Sequence, residues 1–319
     1  VNVLIIGAGA VGQVYAQALE RGGATIAFLV KPRHAKEARA GFAMYPLNAA
    51  DRWTPRRFEG FAVYTAPDQL TGTRWDLVLL AVSGPALRGE WLAPTLAAAP
   101  DAAIVLLTAG MAGTHEQVLA AAPGREVVLG MIPFMSYHAP ISDEPIPTPG
   151  TAWWLPPLAS CGFDGGPVVD ELVRTLRAGG LRAGRSDQVV AAGAFGGAFL
   201  GTHMAALEVA GWSFDTFTRT DALRLAADAG AEALAITAAE RDLPLPFAFR
   251  LLRPALTRHI PTLARWLAPH DVEAFFRVHF TKVGDQTREQ LVHTRDEGRA
   301  RGLPTTSLQA LLDRLGVQG

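Results

Sequence analysis

Six residues near the N-terminus carry the most specific chemistry in the chain. Gly7-Ala8-Gly9-Ala10-Val11-Gly12 follows the apolar run Val3-Leu4-Ile5-Ile6 and opens a helical pattern with Val11, Tyr15, Ala18 and Leu19 on one side. In a strand–turn–helix setting the three glycines have separate tasks: Gly7 allows the tight turn, Gly9 lets backbone approach a pyrophosphate, and Gly12 lets helix and strand pack closely. The free N–H groups of the first helical turn and the positive end of its dipole then face the phosphates. Gly7, Gly9, Ala10, Val11 and Gly12 are therefore read as cofactor contacts. The end of the next strand selects between cofactors. A carboxylate there would bond a ribose 2′-hydroxyl, but the sequence offers Lys31-Pro32-Arg33-His34, with no acid before Glu37. Lys31 and Arg33 would attract a 2′-phosphate, so NADP(H) is expected over NAD.

Proton-handling residues are sparser. His203 sits on a Gly/Ala-rich segment in which Gly193, Gly197 and Gly201 recur every four residues, giving a smooth helical face that backbone or cofactor can approach. It is a candidate donor to a carbonyl or imine, with Glu208 or Asp285 as an orienting acid, or else a core histidine bonded to a carbonyl. Tyr137-His138 line the nicotinamide side or, by default, are loop residues. Phe134, Trp153, Trp154 and Trp212 suggest an apolar substrate pocket, or ordinary core. His259, His270, His279 and His293 have no HExxH neighbour and no cysteine at ligand spacing, so no metal is expected.

These residues must be positioned by two kinds of architecture. In the first half, Val3–Ile6, Thr25–Val30, Phe61–Tyr64, Asp76–Val82, Ala103–Leu107 and Val127–Met131 read as strands, several separated by helix-length segments. That alternation predicts a doubly wound parallel sheet, a Rossmann domain. Ile132–Pro167 is rich in Pro and Gly with a late strand at Trp153-Trp154-Leu155, and Val168–Ala178 reads as a helix. After Asp187 only helical patterns remain: Gln188–Trp212, Asp221–Arg241, His270–His279, Gln286–Arg301 and Ser307–Leu315. Breaks are expected at Leu243–Pro246, Ile260-Pro261 and Leu303-Pro304. The fold class is thus α/β, with a dinucleotide-binding domain over 1–186 and an all-α substrate or dimerisation domain over 187–319, which allows for a homodimer.

Composition narrows the function classes. With 319 residues, 49% hydrophobic and 18% charged, the chain has material for two packed domains. A net charge of −1 gives no basic excess for nucleic acid or an anionic membrane, so neither is expected as a partner. Cys161 is the sole cysteine, which excludes an intrachain disulfide and fits a reduced, cytoplasmic setting. No secretory leader is read at the N-terminus. Val189–Trp212 is long enough for a membrane span but carries His203 and Glu208 without flanking charge asymmetry, and is read as a buried helix.

Together these residues resemble the ketopantoate reductase family, NADP-dependent enzymes with a Rossmann domain followed by a helical domain. GAGAVGQVYAQAL and FLVKPRHAKEARAGF are similar to its glycine loop and to its second strand with the following helix. WDLVLLAV and IVLLTAGMAGTHEQVL are similar to its fourth and fifth strands, and GAEALAITAAERDLPLP and DEGRARGLPTTSLQALLDRL to later helices. The resemblance implies that Ala81, Val82 and Ser83, and Thr108, Ala109 and Gly110, border the cofactor at the ends of those strands. It also implies hydride transfer from NADPH to a 2-keto acid, with a lysine on the first helix of the second domain as acid, supported by a glutamate and an asparagine.

Those polar positions depart from the family. Ser83 stands for a strand-end lysine, Ala109-Gly110 for asparagine-glycine, and Thr281-Lys282 for threonine-glutamate; no lysine occurs between Lys36 and Lys282. The frame is kept while the chemistry is moved. Lys282, one of three lysines and placed where the family has a substrate-facing acid, is the leading catalytic or substrate-binding candidate, with His203 and Asp285; otherwise it is a solvated helix-end lysine. The expected function is an NADPH-dependent reductase of a small carbonyl or imine substrate, not ketopantoate itself. Alternatives are a non-catalytic NADP-binding sensor and an opine-dehydrogenase-like enzyme joining an amine to a keto acid.

Overall fold

A computed structural model describes residues 1–108, 110, 111, 113–250 and 257–317. The chain divides into two compact units, Val1–Gly193 and Ala194–Gly319.

The first unit is built on an eight-stranded sheet. In chain order its strands are β1 (Asn2–Ile6), β2 (Thr25–Leu29), β5 (Ala62–Tyr64), β6 (Leu77–Leu80), β7 (Ala103–Leu106), β8 (Val127–Gly130), β11 (Cys161–Asp164) and β12 (Ala183–Arg185). Their spatial order is β12-β11-β8-β7-β6-β1-β2-β5, parallel throughout except where β11 runs against β8. The apolar runs explain the strands. Val3 and Ile5 enter one core cluster and Leu4 and Ile6 the cluster on the opposite face, so β1 is covered on both sides. Each such side chain contributes about 1.5–3 kcal/mol when fully buried.

A second sheet, not foreseen as a sheet from the sequence, has the order β4-β3-β10-β9. It joins β3 (Phe42–Pro46), β4 (Arg56–Phe58), β9 (Met135–Ala139) and β10 (Gly150–Trp154). The parallel pairing of Met44 with Thr151 brings together segments far apart in the chain. Tyr137 and His138 consequently lie in β9, not in a loop: Tyr137 is buried and His138 is exposed. The aromatic residues are likewise core. Phe134 is tilted against Tyr15, 5.2 Å between ring centroids, and lies edge-on to Trp153, while Trp154 is buried within the same unit. Trp212 belongs to the second unit.

Helix α1 (Ala10–Arg21) touches both sheets, and α5 (Val168–Ala178) packs across it. The crossing is close enough that a Cβ on Gly179 would lie 1.7 Å from the Ala18 carbonyl oxygen, so Gly22-Gly23 and Gly179-Gly180 end their helices where backbone meets backbone. Shorter helices α2 (Ala35–Arg39), α3 (Leu92–Ala97) and α4 (Thr114–Ala121) complete the unit, and α6 (Val189–Val209) begins at its end.

The described part of the second unit is helical: the remainder of α6, then α7 (Phe214–Arg219), α8 (Ala222–Arg241), α9 (Phe247–Arg250), α10 (Ile260–Leu267), α11 (Val272–Lys282), α12 (Gly284–Ala300) and α13 (Thr306–Arg314). Pro261 marks the first turn of α10, where its missing N–H costs nothing, and Leu303-Pro304 separates α12 from α13. The Glu232 carboxylate of α8 accepts N–H bonds from Ser307 (2.9 Å) and Leu308 (2.8 Å), capping α13. By length and composition α6 is apolar enough to cross a membrane. It also buries Phe195, Thr202, His203 and Met204 to Leu207.

Candidate functional site

The glycine loop leaves β1 and returns as α1. Gly7 has φ +97°, and its N–H bonds the Leu29 carbonyl at 3.0 Å, tying the loop to the end of β2. A side chain at Gly12 would have its Cβ 2.3 Å from the Gly7 carbonyl oxygen and 3.2 Å from Ala81 Cβ, so this glycine brings helix, loop and β6 end together. Gly9 differs: its φ is −72°, and a Cβ there would meet nothing within 4 Å. It is the helix N-cap, with no side chain covering the first-turn N–H groups and no acidic residue in that turn. Ala10, Val11 and Gly12 are too early in the helix for intrahelical acceptors. An open, uncapped and positively polarised helix start fits a pyrophosphate.

Two further strand ends border this loop. The Ala81 N–H bonds the Ile6 carbonyl at 3.0 Å, which sets Ala81, Val82 and Ser83 beside Gly7. Val82 Cγ1 and the Ala81 carbonyl oxygen would each lie 3.0 Å from a Cβ on Gly7. After β7, the Thr108 carbonyl accepts the Met111 N–H (3.0 Å) and the Thr114 hydroxyl (2.9 Å), while Thr108 Oγ1 is buried with no hydrogen-bond partner among the described residues. An orphaned hydroxyl at a strand end suits a polar group of a bound dinucleotide. Gly110 packs against the start of α6, where a Cβ on Gly193 would come within 2.9 Å of its Cα. Ala109 lies outside the described residues.

Lys31 and Arg33 stand just past β2, exposed, with Lys31 at the N-cap of the short helical turn Pro32–His34. Arg33 Nε donates to His34 Nε2 at 3.0 Å, and no carboxylate pairs with Lys31 or Arg33 among the described residues. The sequence missed Gln13, which anchors the loop. It is 2% exposed, donates from Nε2 to the Ala8 carbonyl (2.8 Å), and accepts the Thr151 hydroxyl (2.7 Å) from the second sheet. A glutamine at the apolar start of a helix was the available signal.

The second-unit candidates occupy contrasting environments. Lys282 ends α11, exposed and making no ion pair among the described residues. Asp285 is exposed in the first turn of α12, where its charge complements the helix N-terminus. His203 is only 7% exposed. Its Nδ1 lies 2.8 Å from the Phe199 carbonyl, and its Nε2 has no partner among the described residues. Glu208 does not orient it, because Arg288 binds that carboxylate at 2.6 Å. No bond joins His203 to Asp285 either.

The His203 geometry sets its protonation. A carbonyl can only accept, so Nδ1 carries the hydrogen and Nε2 of the neutral ring is a bare acceptor. Burial pushes its pKa down to about 4, against a smaller upward effect of the Phe199 bond. Near neutral pH the ring therefore accepts a hydrogen bond at Nε2 and has no proton there to give.

The fold, with its uncapped glycine loop, is that of the class of Rossmann dinucleotide-binding domains. Residues 3–141 match the ketopantoate reductase PanE/ApbA family model. No curated protein matches the sequence significantly. Solved structures share the fold over nearly the whole chain. A PanE/ApbA family ketopantoate reductase from Ralstonia eutropha JMP134 is 18% identical with TM-score 0.73, covering 99% of this chain and 97% of that one. A 2-dehydropantoate 2-reductase from Methylococcus capsulatus is 19% identical with TM-score 0.69, covering 99% and 96%. D-mandelate dehydrogenase, solved with NADH and anilino(oxo)acetate, is 14% identical with TM-score 0.71, covering 99% and 97%.

Proposed function

We propose that the chain is an NADPH-dependent reductase of a small carbonyl compound, 2-keto acid-like, or of an imine, and that its substrate is not ketopantoate. The observation that carries the cofactor choice is the pair Lys31 and Arg33, exposed and uncompensated at the end of β2, one hydrogen bond away from the glycine loop. Two cations and no carboxylate favour a 2′-phosphate. The cofactor, when bound, supplies a hydride. The protein's own residues must hold it over Gly9, orient it through Thr108 and supply a proton to the substrate oxygen or nitrogen. His203 is an acceptor at neutral pH, so Lys282, whose ammonium carries only donors, is the assigned proton donor or substrate cation.

Replacement of the family's lysine and asparagine positions argues against its usual substrate. Consumption of NADPH by the purified protein, against ketopantoate, other 2-keto acids, ketones and cyclic imines, tests the assignment. Turnover of a member other than ketopantoate is expected. Tight NADPH binding with no turnover of any member would overturn the reductase reading and favour the second one, a non-catalytic NADP sensor. The acceptor-only state of His203 is the observation that favours that alternative.

A further inference from the structure

Gln13 is a polar residue in an apolar place. It lies in the first turn of α1 and is only 2% exposed. A buried amide costs stability unless it is paired. Here each side of the amide has a partner: Nε2 donates to the Ala8 carbonyl at 2.8 Å, and Oε1 accepts the Thr151 hydroxyl at 2.7 Å. A carbonyl can only accept, so the Ala8 bond fixes which way round the amide sits, and Thr151 must donate.

This residue holds the glycine loop twice. Besides the side-chain bond, the Gln13 backbone N–H bonds the Gly9 carbonyl at 2.9 Å. The carbonyls of two successive peptide units, Ala8-Gly9 and Gly9-Ala10, are thus both drawn toward Gln13. In a planar trans peptide the N–H points opposite to the C=O. The N–H groups of Gly9 and Ala10 therefore both face away from the buried glutamine, and neither donates to an acceptor among the described residues. Two neighbouring donors aimed to one side suit an anion.

Thr151 sets the amide from outside the loop. It sits fully buried in β10, paired with Met44 on one side and His138 on the other. Side chains alternate along a strand, so Thr151 shares a face with Trp153, which packs against the core cluster containing Tyr15 of α1. Its β-branched side chain is restricted at χ1, which holds the hydroxyl on Oε1. We propose that Gln13 and Thr151 are positioning residues for the pyrophosphate of the dinucleotide. The second sheet, through the Thr151 hydroxyl, fixes the Gln13 amide, and Gln13 turns the Gly9 and Ala10 N–H groups toward the phosphate oxygens. The inference rests on the proposed binding of NADPH over this loop.

Adenosine 2′-monophosphate keeps the 2′-phosphate of NADPH and lacks the pyrophosphate, so the pair of ligands separates positioning from folding. Both dissociation constants are measured on the full chain, NADPH by tryptophan fluorescence and the mononucleotide by NMR titration. The proteins are the wild type, Gln13→Met, Thr151→Val, Thr151→Ser and the double variant Gln13→Met/Thr151→Val. Gln13→Met should weaken NADPH about tenfold, the worth of one charge-assisted bond, and leave adenosine 2′-monophosphate unchanged. Thr151→Val should weaken NADPH about three- to fivefold, and Thr151→Ser, which keeps the hydroxyl, should bind as the wild type does. Because Thr151 acts through Gln13, the double variant should bind NADPH no more weakly than Gln13→Met. NADPH affinity within about twofold of the wild type in either single variant, equal losses for the two ligands, or additive losses in the double variant overturns the positioning roles. If Gln13→Met does not fold, the near-isosteric Thr151→Val against Thr151→Ser decides the matter alone. A wild type that binds NADPH no tighter than adenosine 2′-monophosphate would bring down the reading of a pyrophosphate on this loop. A pyrophosphate contribution that neither substitution changes brings down only the positioning.

Discussion

Two alanine substitutions in the glycine loop should separate the cost of folding from the cost of binding. At Gly12 the new Cβ would be 2.3 Å from the Gly7 carbonyl oxygen, a backbone atom that cannot rotate away. Relief requires α1 to lift by roughly 1 Å, an overpacking that costs about 1–3 kcal/mol. The helix-propensity gain of about 0.5–1 kcal/mol offsets only part of that. Gly12→Ala should therefore lose about 1–2 kcal/mol of stability and carry its first-turn N–H groups out of register with the phosphates. At Gly9 the φ of −72° suits alanine and the Cβ meets nothing, so the apo fold should be unchanged or slightly firmer. The same methyl would fill the space a pyrophosphate needs, with an expected affinity loss of about 2 kcal/mol or more, roughly thirtyfold. Urea unfolding of the apo proteins gives the first quantity and fluorescence titration with NADPH the second. If Gly9→Ala bound NADPH within about twofold of the wild type, the pyrophosphate would not lie over this loop and the reasoning would fail.

Removing Lys31 or Arg33 by alanine substitution should weaken NADPH about tenfold or more each, the worth of a charge-assisted bond, and leave NADH unaffected. Parallel titrations check this, and equal losses for both cofactors would contradict the 2′-phosphate assignment. Lys282→Ala should lower kcat/KM with the substrate found by the panel about a hundredfold, with NADPH affinity and melting temperature unchanged because the residue is exposed and unpaired; unaltered kinetics would remove it from the site. Acid should destabilise the protein through His203, whose folded pKa of about 4 lies below the unfolded 6.5. Its stabilising effect is complete above pH 6.5 and is lost as pH falls toward 4, amounting to about 2 kcal/mol at pH 5. Burial depresses His270 and His279 in the same direction, whereas Glu240 raises His293, whose contribution is present at low pH and lost as pH rises through its folded value. Urea midpoints at pH 7.5 and 5 for wild type and His203→Gln measure the His203 share, and an identical pH dependence in the two proteins would refute it.

Six strands of the first sheet and the cofactor loop are legible in the sequence because both are local in origin, whereas β11 and β12 are not. A parallel strand covered on two faces reads as an unbroken apolar run, as in Val3–Ile6 and Leu77–Leu80, and the glycine spacing sits entirely between one strand and one helix. The second sheet escaped because neither of its defining features is local. Arg56–Phe58 is too short to show a period, and Met44 finds its partner at Thr151. The early strand Phe42–Pro46 ends in proline, which reads as a breaker unless its neighbour is known.

The same division runs through the site. What Gly7, Gly9 and Gly12 do follows from backbone geometry that their spacing announces. What His203 does follows from three facts that no spacing contains: its burial, the Phe199 carbonyl that takes the Nδ1 hydrogen, and the Arg288 guanidinium that occupies Glu208. From sequence His203 was a candidate proton donor. The packed helix leaves it a neutral ring with a buried lone pair at Nε2, a change of chemical sign produced by one hydrogen bond. A reductase on this frame would take its proton from another residue, and Lys282→Ala is the substitution that tests the proposed one.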